Sequence, residues 1–464
     1  MIAAVCFPCA VAGGASGAYY YQMHRLCESM SVAALPPAPL TSHTRRFLIL
    51  SPHCDDETLG LGGVIASARR RGSAVQVAFL TNGDGFRVAA SRALGEPLVG
   101  PSDFVRFAGL RQKESIAALS ELGVAESNIK FLGYPDRGLQ PMWETNWSET
   151  RPFRSGFTGH THSPYARAFT PHATYCGTSL VRDLTRVMHD YAPTDIFVTH
   201  PSDDHTDHFI AAAYAEAALR ACQASGDSWA QTAHLRYYIV HRGDWPLPQN
   251  SHPDRPLSPP PGLVSLDTHW SAFALTPDAE TAKSKALEHY QSQLAITARF
   301  LHSFVRTNEL VGDLPILPIN GLRTTTGPAL APDAAGDNVA RFADAAADLT
   351  GVSAARDGDT LRVRVSVRGR VSPRVLYRVS VRANADTNTS RFVSFGLATR
   401  SVTPDGKTLE VKVPLSALSS DANQTATRFW VCAETRWAAT PAVSGPVDRT
   451  GYRVFVLPAT TPQK

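Results

Sequence analysis

The stretch Leu48-Ile49-Leu50-Ser51-Pro52-His53-Cys54-Asp55-Asp56-Glu57 determines the fold and the kind of site that we expect in this chain. An apolar run reaches a sharp turn and ends in one histidine, two adjacent aspartates and a glutamate. A buried strand does not need such groups at its tip, whereas imidazole and carboxylate together suit a borderline ion such as Zn²⁺. His53 and Asp56 are three residues apart, so a tight strand-to-helix turn can direct both at one ion and leave Asp55 beside it.

An alternative interpretation of this stretch is a helix start. Asp55, Asp56 and Glu57 would then cap and charge the first turn of the following helix. One capping acid explains one aspartate, but it explains neither His53 nor three acids in a row. The metal interpretation is therefore preferred.

A second polar stretch, Thr199-His200-Pro201-Ser202-Asp203-Asp204-His205-Thr206-Asp207-His208, also follows an apolar run and precedes a helical pattern. Both stretches sit where a parallel sheet presents its carboxyl edge, the usual place for ligand sites in open α/β folds. His205 and His208 are three apart at a helix start and share a face, so one can bind a metal and the other can reach a substrate atom. Taken alone, this stretch is explained equally well by two exposed histidines that cap a helix. Taken together with the first cluster, the functional interpretation explains it better.

The part of the chain that carries both polar stretches alternates strands and helices. The predicted strands are Phe47–Ser51, Ala74–Thr81, Ile129–Leu132, Ile196–Thr199 and Leu235–His241, and the predicted helices are Thr58–Arg71, Phe104–Leu122, Ser179–Tyr191 and the one after His208. This alternation predicts an α/β, Rossmann-like fold with a mainly parallel sheet and helices on both faces.

These motifs resemble those of the PIG-L/LmbE-like zinc-dependent N-deacetylases. His53 to Glu57 is similar to the family's His-Pro-Asp-Asp-Glu signature, and Pro201 to His208 resembles its His-x-Asp-His signature. Three further stretches follow the family in the same order: Arg111-Gln112-Lys113-Glu114, Phe131-Leu132-Gly133-Tyr134-Pro135-Asp136, and the closing segment from Lys285 to Glu309. The resemblance spans about Arg46 to Val311 and is specific when taken together.

The resemblance implies one Zn²⁺ per chain, held by His53, Asp56 and His208. It implies Asp55 as the general base and His205 as the group that steadies the oxyanion. The expected reaction removes an N-acetyl group from an N-acetylglucosamine-type amino sugar or glycoconjugate by metal-activated water.

The chain departs from the family pattern at two positions. Cys54 stands where the family usually has proline; a thiol there could ligate the metal, but we favour a small apolar filler behind the turn. Asp203 stands where some members carry a tyrosine that helps the oxyanion, which leaves the second oxyanion donor unassigned.

Four residues are predicted to belong to the substrate site. Arg111 can contact a substrate anion, unless it forms a surface salt bridge with Glu114. Asp207 can orient His205 or a metal ligand, unless it only caps a helix. Trp143 and Trp147 lie in an aromatic-rich insertion, Gln140 to Cys176, which we expect to form a rim that stacks on a ring-shaped substrate; a packed surface loop is the alternative.

The length of 464 residues predicts more than one domain. Strict alternation at 361–368 and Asp-Gly turns at 357–358 and 405–406 indicate a second, all-β sandwich. We expect a leader and linker at 1–44, an LmbE-like domain at 45–323, a linker at 324–340 and the β-sandwich at 341–464.

Composition excludes some partners. The net charge is +4 and there is no basic stripe with interleaved aromatic residues, so nucleic acid is not an expected partner. Met1 to Ala18 is small and apolar but lacks a basic start, which slightly favours export; Pro8 and glycines break it, so no transmembrane span is expected. The competing function classes are another metal-dependent amidase or esterase acting on a glycosylated metabolite, and a carbohydrate-binding protein with a silent site.

Overall fold

The computed structural model describes residues 16–23, 25, 35–40, 42, 45–319, 329–337, 339–385, 390–397, 401–418, 427–439 and 445–457. The chain divides into two compact units. The α/β unit comprises Val32–Ser258 and His269–Leu314, and the β unit comprises Met1–Ser31, Pro259–Thr268 and Pro315–Lys464. Most of the apolar segment expected to act in export, residues 1–15, lies outside the described residues.

The α/β unit is built on one seven-stranded sheet. Its strands are β1 (Arg46–Ser51), β2 (Ala74–Thr81), β3 (Ile129–Tyr134), β4 (Asp195–Thr199), β5 (His234–Tyr238), β6 (His269–Ala274) and β7 (Asn308–Asp313). They lie in the order β3-β2-β1-β4-β5-β7-β6. The first five strands of this order are parallel, and β7 runs antiparallel to both of its neighbours, β5 and β6. The prediction of a mainly parallel sheet is confirmed.

Helices connect the strands of this sheet. They are α1 (Asp56–Arg70), α2 (Arg87–Leu94), α3 (Pro101–Glu121), α4 (Leu139–Glu144), α5 (Gly177–Tyr191), α6 (Thr206–Ala224), α7 (Pro277–Leu287) and α8 (Gln291–His302). Helices α7 and α8 lie between the antiparallel strands β6 and β7. Right-handed crossovers in this strand order place α1 and α3 on one face and α5 and α6 on the other. The contacts agree, since α1 and α3 both pack with α7, and α5 packs with α6. The short helices α2 and α4 are not predicted from the sequence, because neither has a long apolar period.

The strand order reverses between β1 and β4. These two strands are neighbours, with Phe47 opposite Asp195 and Ile49 opposite Phe197. The chain leaves β1 toward one face of the sheet and leaves β4 toward the other, which opens a crevice at their carboxyl ends. The two polar stretches of the sequence therefore meet at this crevice.

The β unit contains two sheets that share one apolar core. Its strands are β8 (Leu317–Pro318), β9 (Ala329–Pro332), β10 (Leu349–Asp357), β11 (Thr360–Val367), β12 (Val375–Ala383), β13 (Arg391–Leu397), β14 (Thr408–Pro414), β15 (Arg428–Trp437), β16 (Asp448–Arg449) and β17 (Arg453–Val456), with a short helix, α9 (Val339–Ala343). One sheet has the order β14-β11-β10-β9, and the other has the order β13-β12-β15-β17-β8 with β16 beside β15. Val363, Val379 and Phe429 are buried in the core that both sheets cover. The predicted β-sandwich is confirmed.

The border of the β unit lies earlier than the linker predicted at 324–340. β8 pairs with β17 and β9 pairs with β10, so both strands belong to the β unit. Residues 320–328 and 338, which include about a third of that predicted linker, lie outside the described residues. Within the described part of the chain, no helix combines the length and the apolar composition needed to cross a membrane.

Candidate metal centre and active site

The turn between β1 and α1 is held in an uncommon backbone conformation. The hydroxyl of Ser51 donates to the carbonyl of His53 at 2.7 Å, and the backbone N–H of Asp55 donates to Glu57 Oε2 at 3.2 Å. Asp55 has φ 150°, which is rare for a residue with a side chain and is found where function fixes the backbone. Asp55 precedes the first residue of α1, but its side chain makes no capping hydrogen bond. The helix-cap interpretation is therefore not supported at Asp55.

Three ligand-type atoms converge beside this turn. His53 Nδ1 lies 3.2 Å from Asp56 Oδ2 and 2.9 Å from His208 Nε2, and the last two atoms are 3.0 Å apart. All three side chains are buried or nearly so. Separations of this size fit three ligands that share one ion at about 2.0–2.2 Å. The arrangement of the three predicted ligands is thus compatible with binding of a metal ion.

The second ring nitrogen of His53 is held by a carboxylate. His53 Nε2 lies 3.3 Å from Asp207 Oδ2 and 3.7 Å from Asp136 Oδ1. Asp207 is in turn fixed by the backbone N–H groups of Arg137, at 2.6 Å, and Leu139, at 3.3 Å. An imidazole that donates Nε2–H to a carboxylate keeps the lone pair of Nδ1 for a metal. Asp207 therefore positions a predicted ligand.

His208 has a matching arrangement. Its Nδ1 lies 3.2 Å from Asp203 Oδ2, which also accepts from the backbone N–H groups of Val240 at 3.1 Å and His241 at 2.9 Å. Asp203 Oδ1 accepts from the backbone N–H of His205 at 3.0 Å. Asp203 thus directs Nε2 of His208 toward the other two predicted ligands. From the sequence, Asp203 was noted only because some family members have a tyrosine at this position, and its contact with His208 was not predicted.

Arg111 holds the predicted general base. Its Nη2 lies 3.1 Å from Asp55 Oδ1 and donates to the carbonyl of Cys54 at 2.6 Å, while Nη1 donates to the carbonyl of Gly83 at 2.8 Å. A Cβ at Gly83 would lie 1.6 Å from Nη1, so the arginine needs glycine at this position. Glu114, the alternative partner, instead accepts from Ser292.

Burial raises the pKa of the Asp55 carboxyl to about 7, although the Arg111 charge opposes the shift and Asp56 adds to it. A base whose pKa lies near neutrality can both take up and release a proton at physiological pH. Asp55 lines the cavity described below, so its carboxyl can reach a bound water or substrate.

His205 is arranged as a neutral hydrogen-bond donor. Its Nδ1 accepts from the backbone N–H of Asp207 at 3.3 Å, which leaves the proton on Nε2. Burial, followed by the neighbouring rings of His53 and His208, lowers the pKa of His205 well below its usual range. The rings of His205 and His53 meet edge to face with centroids 4.6 Å apart. His205 can therefore donate to an oxygen close to the metal ligands.

Two residues of the site were missed by sequence reasoning. His241 follows β5, stacks on Phe300 with centroids 5.2 Å apart and planes at 8°, and lies with its ring 4.9 Å from that of His208. Asp136 follows β3 and accepts from the backbone N–H of Gly85 at 2.8 Å. Both residues follow a strand of the same parallel sheet. Their position after the strand could have predicted from the sequence that they belong to the site.

The site opens into a cavity of about 230 Å³. Its polar lining is His53, Asp55, Asp56, Arg111, Asp136, Arg137, His205, His241, Gln293 and Thr297, and its apolar lining is Leu59, Phe86, Phe300 and Leu301. Helix α8 supplies one wall, with a break in its helical backbone at Thr297. A cavity with a few convergent polar groups and an apolar wall is the usual form of a small-molecule site.

The predicted tryptophans do not reach this cavity. Trp143 is fully buried and packs edge to face on Tyr214 and on Trp147, at centroid distances of 5.0 and 5.5 Å. A Cβ at Gly177 would lie 2.1 Å from the ring of Trp147. No residue of the insertion 140–176, all of which is described, lines the cavity. The role of Trp143 and Trp147 in substrate binding stays a prediction, and these contacts give it no support.

Cys54 is fully buried behind the turn and is not among the residues that line the cavity. Burial raises the pKa of its thiol to about 12, so the sulfur stays protonated at neutral pH. A protonated thiol is a poor metal ligand. These facts favour the interpretation of Cys54 as an apolar filler.

Part of the α/β unit matches a known protein family. The profile of the PIG-L family, described as GlcNAc-PI de-N-acetylase, matches residues 48–219. A curated relative, the 1D-myo-inositol 2-acetamido-2-deoxy-alpha-D-glucopyranoside deacetylase of Tsukamurella paurometabola, is 27% identical over 282 residues, covering 54% of this chain and 84% of that protein.

Solved structures show weaker similarity. The 4-carboxy-2-hydroxymuconate hydratase GalB of Pseudomonas putida is 15% identical, covers 56% of this chain and 83% of its own, and has a TM-score of 0.35. The N,N'-diacetylchitobiose deacetylase of Pyrococcus horikoshii is 19% identical, covers 55% and 75%, and has a TM-score of 0.33. Scores this low add nothing to the fold described above. Over residues 48–219 the chain carries a domain of the PIG-L family of N-deacetylases, hydrolases that act on an amide C–N bond.

Proposed function

We propose that this protein is a zinc-dependent N-deacetylase that removes the acetyl group from an N-acetylglucosamine-type amino sugar or glycoconjugate. The observation that carries the proposal is the convergence of His53 Nδ1, Asp56 Oδ2 and His208 Nε2 within 3.2 Å of one another. His53 and Asp56 line one cavity together with Asp55. The curated relative, whose name describes a deacetylase of a 2-acetamido-2-deoxyglucopyranoside, supports the choice of substrate class.

The donor set favours zinc among the common ions. Two imidazole nitrogens and one carboxylate oxygen suit Zn²⁺ better than Mg²⁺ or Ca²⁺, which prefer oxygen ligands. Three protein ligands also leave a position for water, as in catalytic rather than structural zinc sites. Bound there, zinc would polarise the acetyl carbonyl and lower the pKa of water to about 7.

The chain's own residues then divide the proton transfers and the charge stabilisation. Asp55, held by Arg111, takes the proton of the attacking water on a carboxylate oxygen. His205 donates Nε2–H to the oxygen that becomes negative as the carbonyl is attacked. Asp55 returns its proton to the departing nitrogen, so that the C–N bond breaks to give acetate and a free amine.

The test is acetate release from a panel of N-acetylated sugars, with the metal content of the purified protein measured alongside. We expect release from N-acetylglucosamine derivatives, loss of release after a chelator, and its return when Zn²⁺ is added. Longer N-acyl sugars and sugar acetate esters in the same panel separate this activity from that of another metal-dependent amidase or esterase. Zinc binding without release from any member would support the competing view of a carbohydrate-binding protein and contradict the proposal.

A further inference from the structure

Four buried oxygen atoms lie beside the loop that follows β3. They are Asp84 Oδ2, Ser163 Oγ, Tyr165 OH and Tyr175 OH, and the four residues are 0%, 1%, 7% and 0% exposed. None of these atoms has a hydrogen-bond partner in the part of the chain that the structure describes. Buried polar atoms are nearly always satisfied, so four such atoms in one place indicate a ligand between them.

The four side chains are neighbours. A Cβ at Gly133 would lie 2.7 Å from Ser163 Oγ and 3.1 Å from the ring of Tyr165. Burial and then the charge of Asp84 raise the pKa of both Tyr165 and Tyr175 well above the usual range of a phenol, which places the carboxyl beside both rings. The hydroxyls of Ser163 and Tyr165 also act on Tyr175 and oppose the rise in its pKa. We call these four side chains the oxygen pocket.

The oxygen pocket is separate from the metal centre. None of its four residues lines the cavity. Asp84 uses its other oxygen, Oδ1, to accept from the backbone N–H of Asp136 at 3.4 Å. Asp136 does line the cavity, and its Oδ2 accepts from the backbone N–H of Gly85 at 2.8 Å. The pocket therefore joins three residues of the insertion to two loops at the edge of the cavity.

The carboxyl of Asp84 is buried without a countercharge. Among the described residues, no arginine or lysine forms an ion pair with it. Burial raises the pKa of this carboxyl to about 7, and the charge of Asp136 adds to the shift. A buried carboxylate is stable only when it is paired with a cation or coordinates one.

The chemistry of the pocket suits a monovalent cation. All four atoms are oxygens, which hard cations prefer and zinc or copper do not require. Both phenols stay neutral because their pKa values are raised, so the pocket carries one negative charge. A water molecule would satisfy the hydroxyls but would leave that charge unpaired, whereas an ion of charge +1 does both.

We propose that Asp84, Ser163, Tyr165 and Tyr175 bind one alkali cation, Na⁺ or K⁺, which fastens the insertion to the loop that carries Asp136. This site does not depend on the proposed deacetylation or on the proposed zinc ion. The insertion then acts through its attachment to the cavity edge rather than through contact with a sugar.

The first test measures thermal unfolding of the wild-type protein in NaCl, KCl and choline chloride at equal ionic strength. The melting temperature should be higher by about 3 °C or more in the salt of the bound ion than in choline chloride, because a ligand that binds only the folded state stabilises it. The more effective salt identifies Na⁺ or K⁺. Equal melting temperatures in all three salts would mean that a proton neutralises Asp84, and would overturn the proposal. Stabilisation by added CaCl₂ or MgCl₂ alone would overturn it as well.

The second test locates the ion. Titration calorimetry of NaCl or KCl into the wild-type protein in choline chloride should give one site per chain. Asp84→Asn preserves the size of the side chain and removes its charge, so this heat of binding and the effect of the salt on unfolding should both be lost. If Asp84→Asn responds to the salts as the wild type does, the ion binds elsewhere and the proposal is wrong.

Two variants that keep the charge provide a test that does not require Asp84→Asn to fold. Ser163→Ala and Tyr175→Phe each remove one ligand oxygen and should weaken binding of the ion by about tenfold. Tyr191→Phe is the matched control, because its hydroxyl is also buried without a partner among the described residues but lies near Arg46 at the end of α5. Tyr191→Phe should bind the ion as the wild type does. Equal affinity in all three variants would show that the pocket hydroxyls are not ligands.

Discussion

Asp207 Oδ2 lies 3.3 Å from His53 Nε2, and this contact leaves Nδ1 as the nitrogen that His53 can present to the proposed metal. Asp203 Oδ2 likewise lies 3.2 Å from His208 Nδ1, which leaves Nε2 of His208 for the proposed metal. The two carboxylates come from one short segment, with Asp203 in the loop after β4 and Asp207 in the first turn of α6. The segment that supplies the proposed ligand His208 therefore also orients both proposed histidine ligands.

The first prediction concerns this orientation. Asp207→Asn should weaken zinc binding by about 10- to 100-fold, because an amide is a poorer acceptor for the imidazole N–H. Competition with a chromogenic chelator measures the affinity. Asp190→Asn, at an exposed aspartate of α5, is the control and should bind zinc as the wild type does. Wild-type affinity in Asp207→Asn would show that His53 is oriented by other contacts.

The second prediction separates the base from the ligands. Asp55→Asn should retain zinc and lose about 10²- to 10⁴-fold in kcat, because the amide cannot accept the proton of water. His208→Ala should lose zinc together with activity. Metal analysis and acetate release on the same preparations distinguish these outcomes. Full activity in Asp55→Asn would remove the base assignment.

The third prediction concerns pH. The positive charge of Arg111 stabilises the ionised form of Asp55 and so opposes the rise in its pKa. Arg111→Gln should therefore raise this pKa and keep the base protonated over a wider acidic range. The acid limb of kcat/KM against pH should move to higher pH than in the wild type. A limb that stays in place or moves to lower pH would contradict the assignment of Arg111 to Asp55.

The fourth prediction concerns His241. This ring lies beside His208 and lines the cavity, where it can supply the second oxyanion donor that the sequence left unassigned. His241→Phe preserves a ring that can stack on Phe300 but removes both nitrogens, and kcat should fall by on the order of 10²-fold. In Phe300→Leu, which loses the stack but keeps the nitrogens of His241, kcat should fall less. A larger loss of kcat in Phe300→Leu than in His241→Phe would show that His241 acts through packing.

The fifth prediction concerns stability. Lys283 Nζ lies 2.7 Å from Glu309 Oε1, and both side chains are fully buried. Lys283→Met should lower the free energy of unfolding by about 3–5 kcal/mol, because it leaves a buried carboxylate without its cation. Lys285→Met, at an exposed lysine of the same helix, should change it by less than about 0.5 kcal/mol. Denaturant titration of both variants makes the comparison, and equal values would show that the buried pair is not needed for stability.

The sequence alone predicted the parts of the site that follow each other closely in the chain. His53, Asp55 and Asp56 lie on one turn and His205 and His208 on another, so their spacing showed which side chains could act together. Strand and helix periods placed both turns at the carboxyl edge of a parallel sheet, and the sheet order then brought the turns side by side.

The tertiary structure decided the pairings between distant residues. Arg111 meets Asp55, His241 meets His208, and Asp136 approaches His53 only because several strands end at one crevice. The aromatic insertion shows the same limit: its composition indicated a rim, but packing buries Trp143 and places Phe157 under Arg137. Local sequence sets periodicity and turn geometry, whereas contacts across the sheet depend on how all strands and helices pack at once, which short-range patterns do not encode.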